Sequence, residues 1–188
     1  SSTANGGGSN IDTSGESFRI MNSTDTNDYI EVFRYLNSAL EAGQTFSFDM
    51  DVNWREPAFK GIRLRDDGDV TIFRLEVGEW DGQPSGTWVA DVAGVNTQIH
   101  TDYHEDTQYH VALEQTSSTG GTWSVTRSGG LSDLDSGSYT GKVSSFQLYS
   151  SLASSDAQQD IYFNSFDVSY TPGFDHYAAW TNQYNLSG

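Results

Sequence analysis

The chain has 188 residues, nine Lys plus Arg against 26 Asp plus Glu, and a formal net charge of −17. Such a field repels phosphate backbones and anionic lipid surfaces, so neither nucleic acid nor a membrane is an expected partner. There is no Cys, which excludes disulfides and thiolate metal sites, and no apolar run reaches the roughly 18 residues of a membrane-spanning helix.

The length fits one domain able to bury its own core. Aromatic residues make up 13% of the chain and charged residues only 19%, with Gly, Ser and Thr abundant, which favours strands and turns over helices. The chain begins without Met and without a signal peptide, so it reads as an excised or processed piece of something larger.

In chain order, residues 1–14, opening "SSTANGGGSN", read as a Gly/Ser linker. The folded domain is expected over 15–171. "SFRIMN" is a first strand and "DYIEVFRYL" a longer apolar-rich run. "TFSFDMDVNW" alternates strictly: Phe46, Phe48, Met50, Val52 and Trp54 face one way, and Ser47, Asp49, Asp51 and Asn53 the other. "KGIRLRDDGDVTIFRLEVGEW" reads as a hairpin around Asp67-Gly68. With Arg65 opposite Val70, the core face takes Ile62, Leu64, Phe73, Leu75 and Val77, and the other face takes Arg63, Arg65, Ile72, Arg74 and Glu76. Further strands are "TWVADV", "TQYHVALEQT", "TWSVTRS", "SSFQLYSS" and "QDIYFNSFDVSY". The last changes phase, which a bulge near Asn164-Ser165 reconciles. About ten short strands with no helix between them imply an all-β antiparallel sandwich of the jelly-roll type. Residues 172–188 place Phe174, Tyr177, Ala178 and Trp180 near helical spacing, so a short C-terminal helical tail is expected.

Four of the nine cations, Lys60, Arg63, Arg65 and Arg74, fall within this one hairpin. Arg63, Arg65 and Arg74, joined by Arg34 and Arg55, are expected to line a trough on a solvated sheet face. Guanidinium forks suit hydroxyls, sulfates and carboxylates. The competing reading pairs these Arg residues with Asp49, Asp51 and Glu76 across strands, an arrangement worth roughly 0.2–1 kcal/mol per pair. Trp54, Trp80, Trp88, Tyr103 and His104 lie at loops or strand ends, where aromatic rings stack on the C–H faces of sugars. Trp123, mid-strand beside Val125, reads as core. "STDTND" offers Asp25 and Asp28 as oxygen ligands for a structural calcium ion, with Asn164 and Asp167 from the last strand completing the set. "RDDGD" reads as turn chemistry.

Together "GQTFSFDMDVNW", "GIRLRDDGDVTIFRLEVG", "GTWSVTRSGG" and "IYFNSFDVSY" resemble accessory domains of secreted bacterial polysaccharide-degrading enzymes, the concanavalin-like or laminin-G-like jelly rolls, over residues 15–171. The resemblance implies a monomeric, non-catalytic carbohydrate-binding module that targets an attached catalytic domain to a polysaccharide. A marine algal glycan, sulfated or uronic, fits the acidic composition. The tail "WTNQYNLSG" resembles the segment preceding Asp-rich calcium repeats in multidomain secreted proteins. A second resemblance is to jelly-roll alginate lyases, which carry an Arg-x-Glu strand (here Arg74 and Glu76) and then Gln-Ile-His (Gln98, Ile99, His100). That comparison implies a lyase using His100 and Tyr103. The departures are a short Arg74-to-Gln98 spacing and the absence of the family's Tyr-rich Lys-Ala-Gly strand. A calcium-stabilised adhesion domain is the third reading.

Overall fold

The computed structural model describes residues 5–6, 9–11, 17–21, 29–52, 59–80, 83–91, 96–100, 107–129, 132–151 and 160–170. The helical reading of 172–188 therefore lies outside the described residues. Among those described, every regular element is a strand, and no helix is long and apolar enough to cross a membrane.

Two six-stranded antiparallel sheets form a sandwich. The first runs β12 (Asp133–Thr140), β11 (Gly120–Gly129), β10 (Thr107–Ser117), β5 (Gln44–Val52), β14 (Ile161–Tyr170), β3 (Phe18–Ile20). The second runs β4 (Tyr29–Tyr35), β13 (Ser145–Ser151), β6 (Phe59–Arg65), β7 (Thr71–Trp80), β8 (Gln83–Asp91), β9 (Asn96–His100). Two short strands, β1 (Asn5–Gly6) and β2 (Ser9–Asn10), pair with each other. They lead to Ile11, which is buried against Tyr162 and whose carbonyl accepts a hydrogen bond from Asn164 Nδ2.

The core forms where the inward rows of both sheets meet. Phe46, Phe48, Met50 and Val52 of β5 are buried, as the alternation requires, and Ile62, Leu64, Phe73, Leu75 and Val77 oppose them from β6 and β7. Phe46 stacks on Phe146 of β13 with centroids 5.5 Å apart, a contact that joins the sheets. Burying each such side chain stabilises by about 1.5–3 kcal/mol. Trp123 joins this core at its edge, 5.7 Å from Phe73.

Two bulges set the phases. Between Asn164 and Asp167 β14 gains one residue against β5, and Ser165 takes a φ of 57°. The expected phase change is thus a true bulge. The second bulge corrects the hairpin register: Arg65 pairs with Thr71 rather than Val70, while Leu64 pairs with Phe73. The extra residue between them is Ile72, which is buried in the core and not on the Arg face. The turn itself is made by Asp66, whose Oδ1 accepts from Gly68 N at 3.0 Å and Val70 N at 2.8 Å. Asp69, with φ 62°, takes the left-handed position of this turn. Short polar side chains tolerate that conformation.

Two strands carry no clear hydrophobic signal. β12 buries only Tyr139 among its eight residues, and Gly137 lies under the Trp123 ring, where a Cβ would stand 2.7 Å from the indole. β9 is the edge strand holding Gln98.

Lys60 points inward from β6 and is fully buried; burial pulls its pKa down to about 7, partly offset by the Asp160 carboxylate. Its ordinary value is 10.5, so between pH 7 and 10.5 the unfolded chain binds more protons than the folded one. Stability from this group therefore rises with pH across that window and is lost below it. The thermal midpoint of the wild type should rise from pH 6.5 to 9.5 relative to that of Lys60→Met. Parallel pH profiles for the two proteins would contradict the burial.

Candidate functional site

The outer face of the second sheet carries the Arg cluster. Register places its side chains in rows that cross the strands. Tyr35, Ser145 and Arg65 form one row, and Phe33, Gln147, Arg63 and Arg74 the next. The third row is Glu31, Tyr149, Gly61 and Glu76, and the backbone register continues it to Trp88 and Gln98. Strand β6 brings Arg63 and Arg65 to this face by simple alternation, with Ile62 and Leu64 going inward.

The third row holds the face together. A Cβ at Gly61 would lie 2.0 Å from the Leu75 carbonyl, so this position admits no side chain. Tyr149 and Glu76 flank that gap, and the Tyr149 hydroxyl donates across it to Glu76 Oε2 at 2.5 Å. Both residues are buried although they lie on the outer face. Burial raises the Glu76 pKa above the ordinary carboxylate value, opposed by the Tyr149 hydrogen bond and by Arg74 and Arg63. Burial, and then the adjacent Glu76, hold the Tyr149 phenol well above its usual value.

Aromatic rings and cations build outward from this pair. The Arg63 guanidinium lies 4.5 Å above the Tyr149 ring centroid, and Tyr29 stacks on the same ring at 6.2 Å. Arg63 also donates to the Tyr29 hydroxyl at 3.4 Å. Arg65 donates to Asp69 at 2.7 Å and to Gln147 Oε1 at 2.5 Å. The Gln147 amide nitrogen in turn donates to Tyr29 and to Glu31. Arg63 and Arg74 are directly opposed across β6 and β7. Like charges in that position destabilise by roughly 0.2–1 kcal/mol, which the cation–π contact of Arg63, about 0.5–1 kcal/mol or more, and the Glu76 carboxyl offset.

The expected partnerships need correcting. Asp49 and Asp51 belong to β5 in the other sheet, and Asp49 instead pairs with His110 at 2.8 Å. Arg34 does not join the trough: alternation along β4 places it with Ile30 and Val32, on the side opposite Phe33, and it borders a separate cleft. Trp80 and Trp88 are strand residues of β7 and β8 rather than loop residues, with Trp88 opposite Glu76; their side chains lie outside the description, as does that of His100. Trp54, Arg55, Tyr103, His104, Asp25 and Asp28 lie outside the described residues. Of the expected calcium set, Asn164 is engaged at both ends of its amide, donating to Ile11 O and accepting from Ser165 N at 2.8 Å. Asp167 sits at the cleft. Among the described residues no group of three His, Asp or Glu side chains converges on a metal position.

The face also carries residues that the sequence reading passed over: Tyr29, Glu31, Phe33, Tyr35, Gln147 and Tyr149. Tyr35 is 70% exposed and packs edge-on against Phe33 at 4.7 Å. The signal was present in "DYIEVFRYL", where Tyr29, Glu31, Phe33 and Tyr35 occupy alternate positions.

No protein-family model and no curated protein matches the chain. Solved structures match its fold. A tetrameric galectin from the ball sponge Cinachyrella sp. is 12% identical, with a TM-score of 0.51, over 75% of this chain and 100% of the galectin. The catalytic domain of a GH131 β-glucanase from Podospora anserina is 12% identical with a TM-score of 0.49, over 84% of this chain and 72% of that one. An alginate lyase from Corynebacterium sp. is 11% identical with a TM-score of 0.44, over 71% and 61% respectively. At these identities the likeness is one of fold alone: an all-β sandwich of two antiparallel sheets.

The Tyr149–Glu76 bond can be tested directly. Tyr149→Phe removes the donor to a buried carboxyl and should cost about 1–3 kcal/mol in urea unfolding at pH 7. Losing that donor raises the Glu76 pKa further, so the folded state holds its proton to higher pH and stability falls as pH rises. The deficit should therefore be smaller at pH 4 than at pH 7. A deficit that does not change with pH would mean that the carboxyl does not depend on this hydroxyl.

Proposed function

We propose that this chain is a non-catalytic carbohydrate-binding module that engages a polysaccharide on the outer face of the β4-to-β9 sheet. The observation that carries the reading is one of register. The exposed rings of Tyr35 and Phe33 on β4 stand in rows with Arg65, Arg63 and Arg74, with the Gln147 amide between them. Rings supply stacking surfaces for sugar C–H faces, and the guanidinium groups supply donors to hydroxyls and anionic substituents. The opposed Arg63 and Arg74 favour a glycan bearing carboxylate or sulfate groups, since an anion between them relieves their repulsion. The face is open and extended, which suits a polymer lying along it and weak binding per sugar. In this reading the module serves a secreted protein by bringing a joined catalytic domain to its substrate.

The non-catalytic assignment rests on Tyr149. It shares the face with Arg74 and Glu76, but it is fully buried and its hydroxyl is engaged by Glu76. A general acid must reach the proton it transfers. One observation favours the lyase reading instead: Glu76, Trp88 and Gln98 fall in a single row across β7, β8 and β9.

Affinity electrophoresis against alginate, carrageenan, agarose, fucoidan and neutral plant glucans tests the proposal. At least one anionic polymer should retard the protein. Tyr35→Ala and the Arg63→Ala, Arg74→Ala double variant should reduce the retardation at least several-fold. The thermal midpoint of Tyr35→Ala should stay within about 1 °C of wild type, because so exposed a side chain carries little of the fold. Retardation by no polymer, or retardation indifferent to these changes, would overturn the reading. Release of unsaturated ends from the same polymers would establish the lyase instead. A parallel EDTA arm addresses calcium: a fall in midpoint on chelation, without any glycan binding, would identify a calcium-stabilised adhesion domain.

A further inference from the structure

At the open side of the sandwich, where the end of β4 faces the last half of β14, lies a cleft of about 270 Å³. Arg34 brings it to the side of β4 opposite Phe33, although Tyr35 of the Arg65 row also lines it, and its character differs from that of the Arg rows. Three aromatic rings form its floor. Phe146 and Phe166 stack nearly parallel, 5.1 Å apart at 10°, with Phe46 behind Phe146 at 5.5 Å. Phe166 is the least buried of the three. Arg34, Asn37 and Asp167 are exposed and border the cleft. Among the described residues none of these three side chains makes a hydrogen bond or ion pair.

We infer that this cleft is a second sugar subsite, which takes a single neutral pyranose ring such as the end of a glycan chain. The volume lies just under the roughly 300 Å³ at which small-molecule pockets begin, enough for one ring but not for a run of them. An apolar floor, with Phe166 the ring most open to the cleft, suits the C–H groups of a sugar. A rim offering one guanidinium, one carboxylate and one amide suits adjacent hydroxyls, which both donate and accept. The rim charges cancel, so an anionic substituent gains nothing here, in contrast to the Arg face. An acyl chain would leave the polar rim unsatisfied, and a peptide would exceed the volume.

Saturation-transfer NMR on the full chain with galactose, glucose, mannose and xylose as separate probes tests this inference. At least one should receive saturation, with an affinity on the order of millimolar. Arg34→Ala and Asp167→Ala each remove a charged hydrogen-bonding group and should weaken the interaction about tenfold or more. Both side chains are exposed, and circular dichroism confirms that the variants fold. The Arg63→Ala, Arg74→Ala variant should leave the monosaccharide signal unchanged. No transfer to any probe, or transfer that survives in the Arg34→Ala, Asp167→Ala double variant, would overturn the inference. The two sites fail separately: a wild-type protein that no polymer retards but that still gives the monosaccharide signal refutes the Arg face alone, and a wild-type protein that polymers retard but that gives no monosaccharide signal refutes the cleft alone.

Discussion

The hydrogen bond from Tyr149 to Glu76, passing over Gly61, is the interaction on which the face depends. It places a carboxyl and a phenol out of water on what is otherwise the solvated side of a sheet. Neither group is stable there alone, because a buried carboxyl without a donor costs several times what an ordinary surface contact returns. Together they form a platform. Tyr29 and Phe59 pack on the Tyr149 ring, and the Arg63 guanidinium lies over it. Two guanidinium groups can then stand side by side on neighbouring strands, because Glu76 lies next to both.

Preorganisation follows from the same network. Arg65 is fixed by Asp69 and Gln147, and Gln147 by Tyr29 and Glu31. An arginine held in this way loses less conformational entropy when a ligand arrives than one waving in solvent. The two readings weighed at the outset, cations already paired and cations poised for a ligand, are thus compatible. The pairs orient the guanidinium groups, and the aromatic ladder on β4 lies beside them.

How much of this was legible depended on burial. The phase of β5, β6 and most of β7 could be read because each strand has one dry face and one wet face, and hydrophobicity alternates with it. β4 shows no such alternation because it is an edge strand. Val32, Phe33 and Tyr35 are apolar yet exposed, so the run has no dry face set against a wet one for the sequence to display. Ile72 was misplaced by one residue's worth of bulge, which no local pattern announces. β12 has too few buried positions to show a period at all. The cluster at the site was half legible: Arg63, Arg65 and Arg74 followed from strand phase. Their real companions, Tyr29, Gln147 and Tyr149, come from β4 and β13, and only the pairing of distant strands brings them together.

The bulge at Ser165 has a reach beyond its own strand. One additional residue there exchanges inside for outside along the rest of β14, so that Phe166 meets Phe146 while Asp167 stays in water. Were the strand to run on in regular pleat with every residue kept, ring and acid would change places. The phenyl group would be expelled to solvent and the carboxylate driven between the sheets, closing the lateral cleft and splitting the aromatic stack that joins the two layers. An irregularity of one residue therefore decides whether this side of the sandwich offers a recess or a seam.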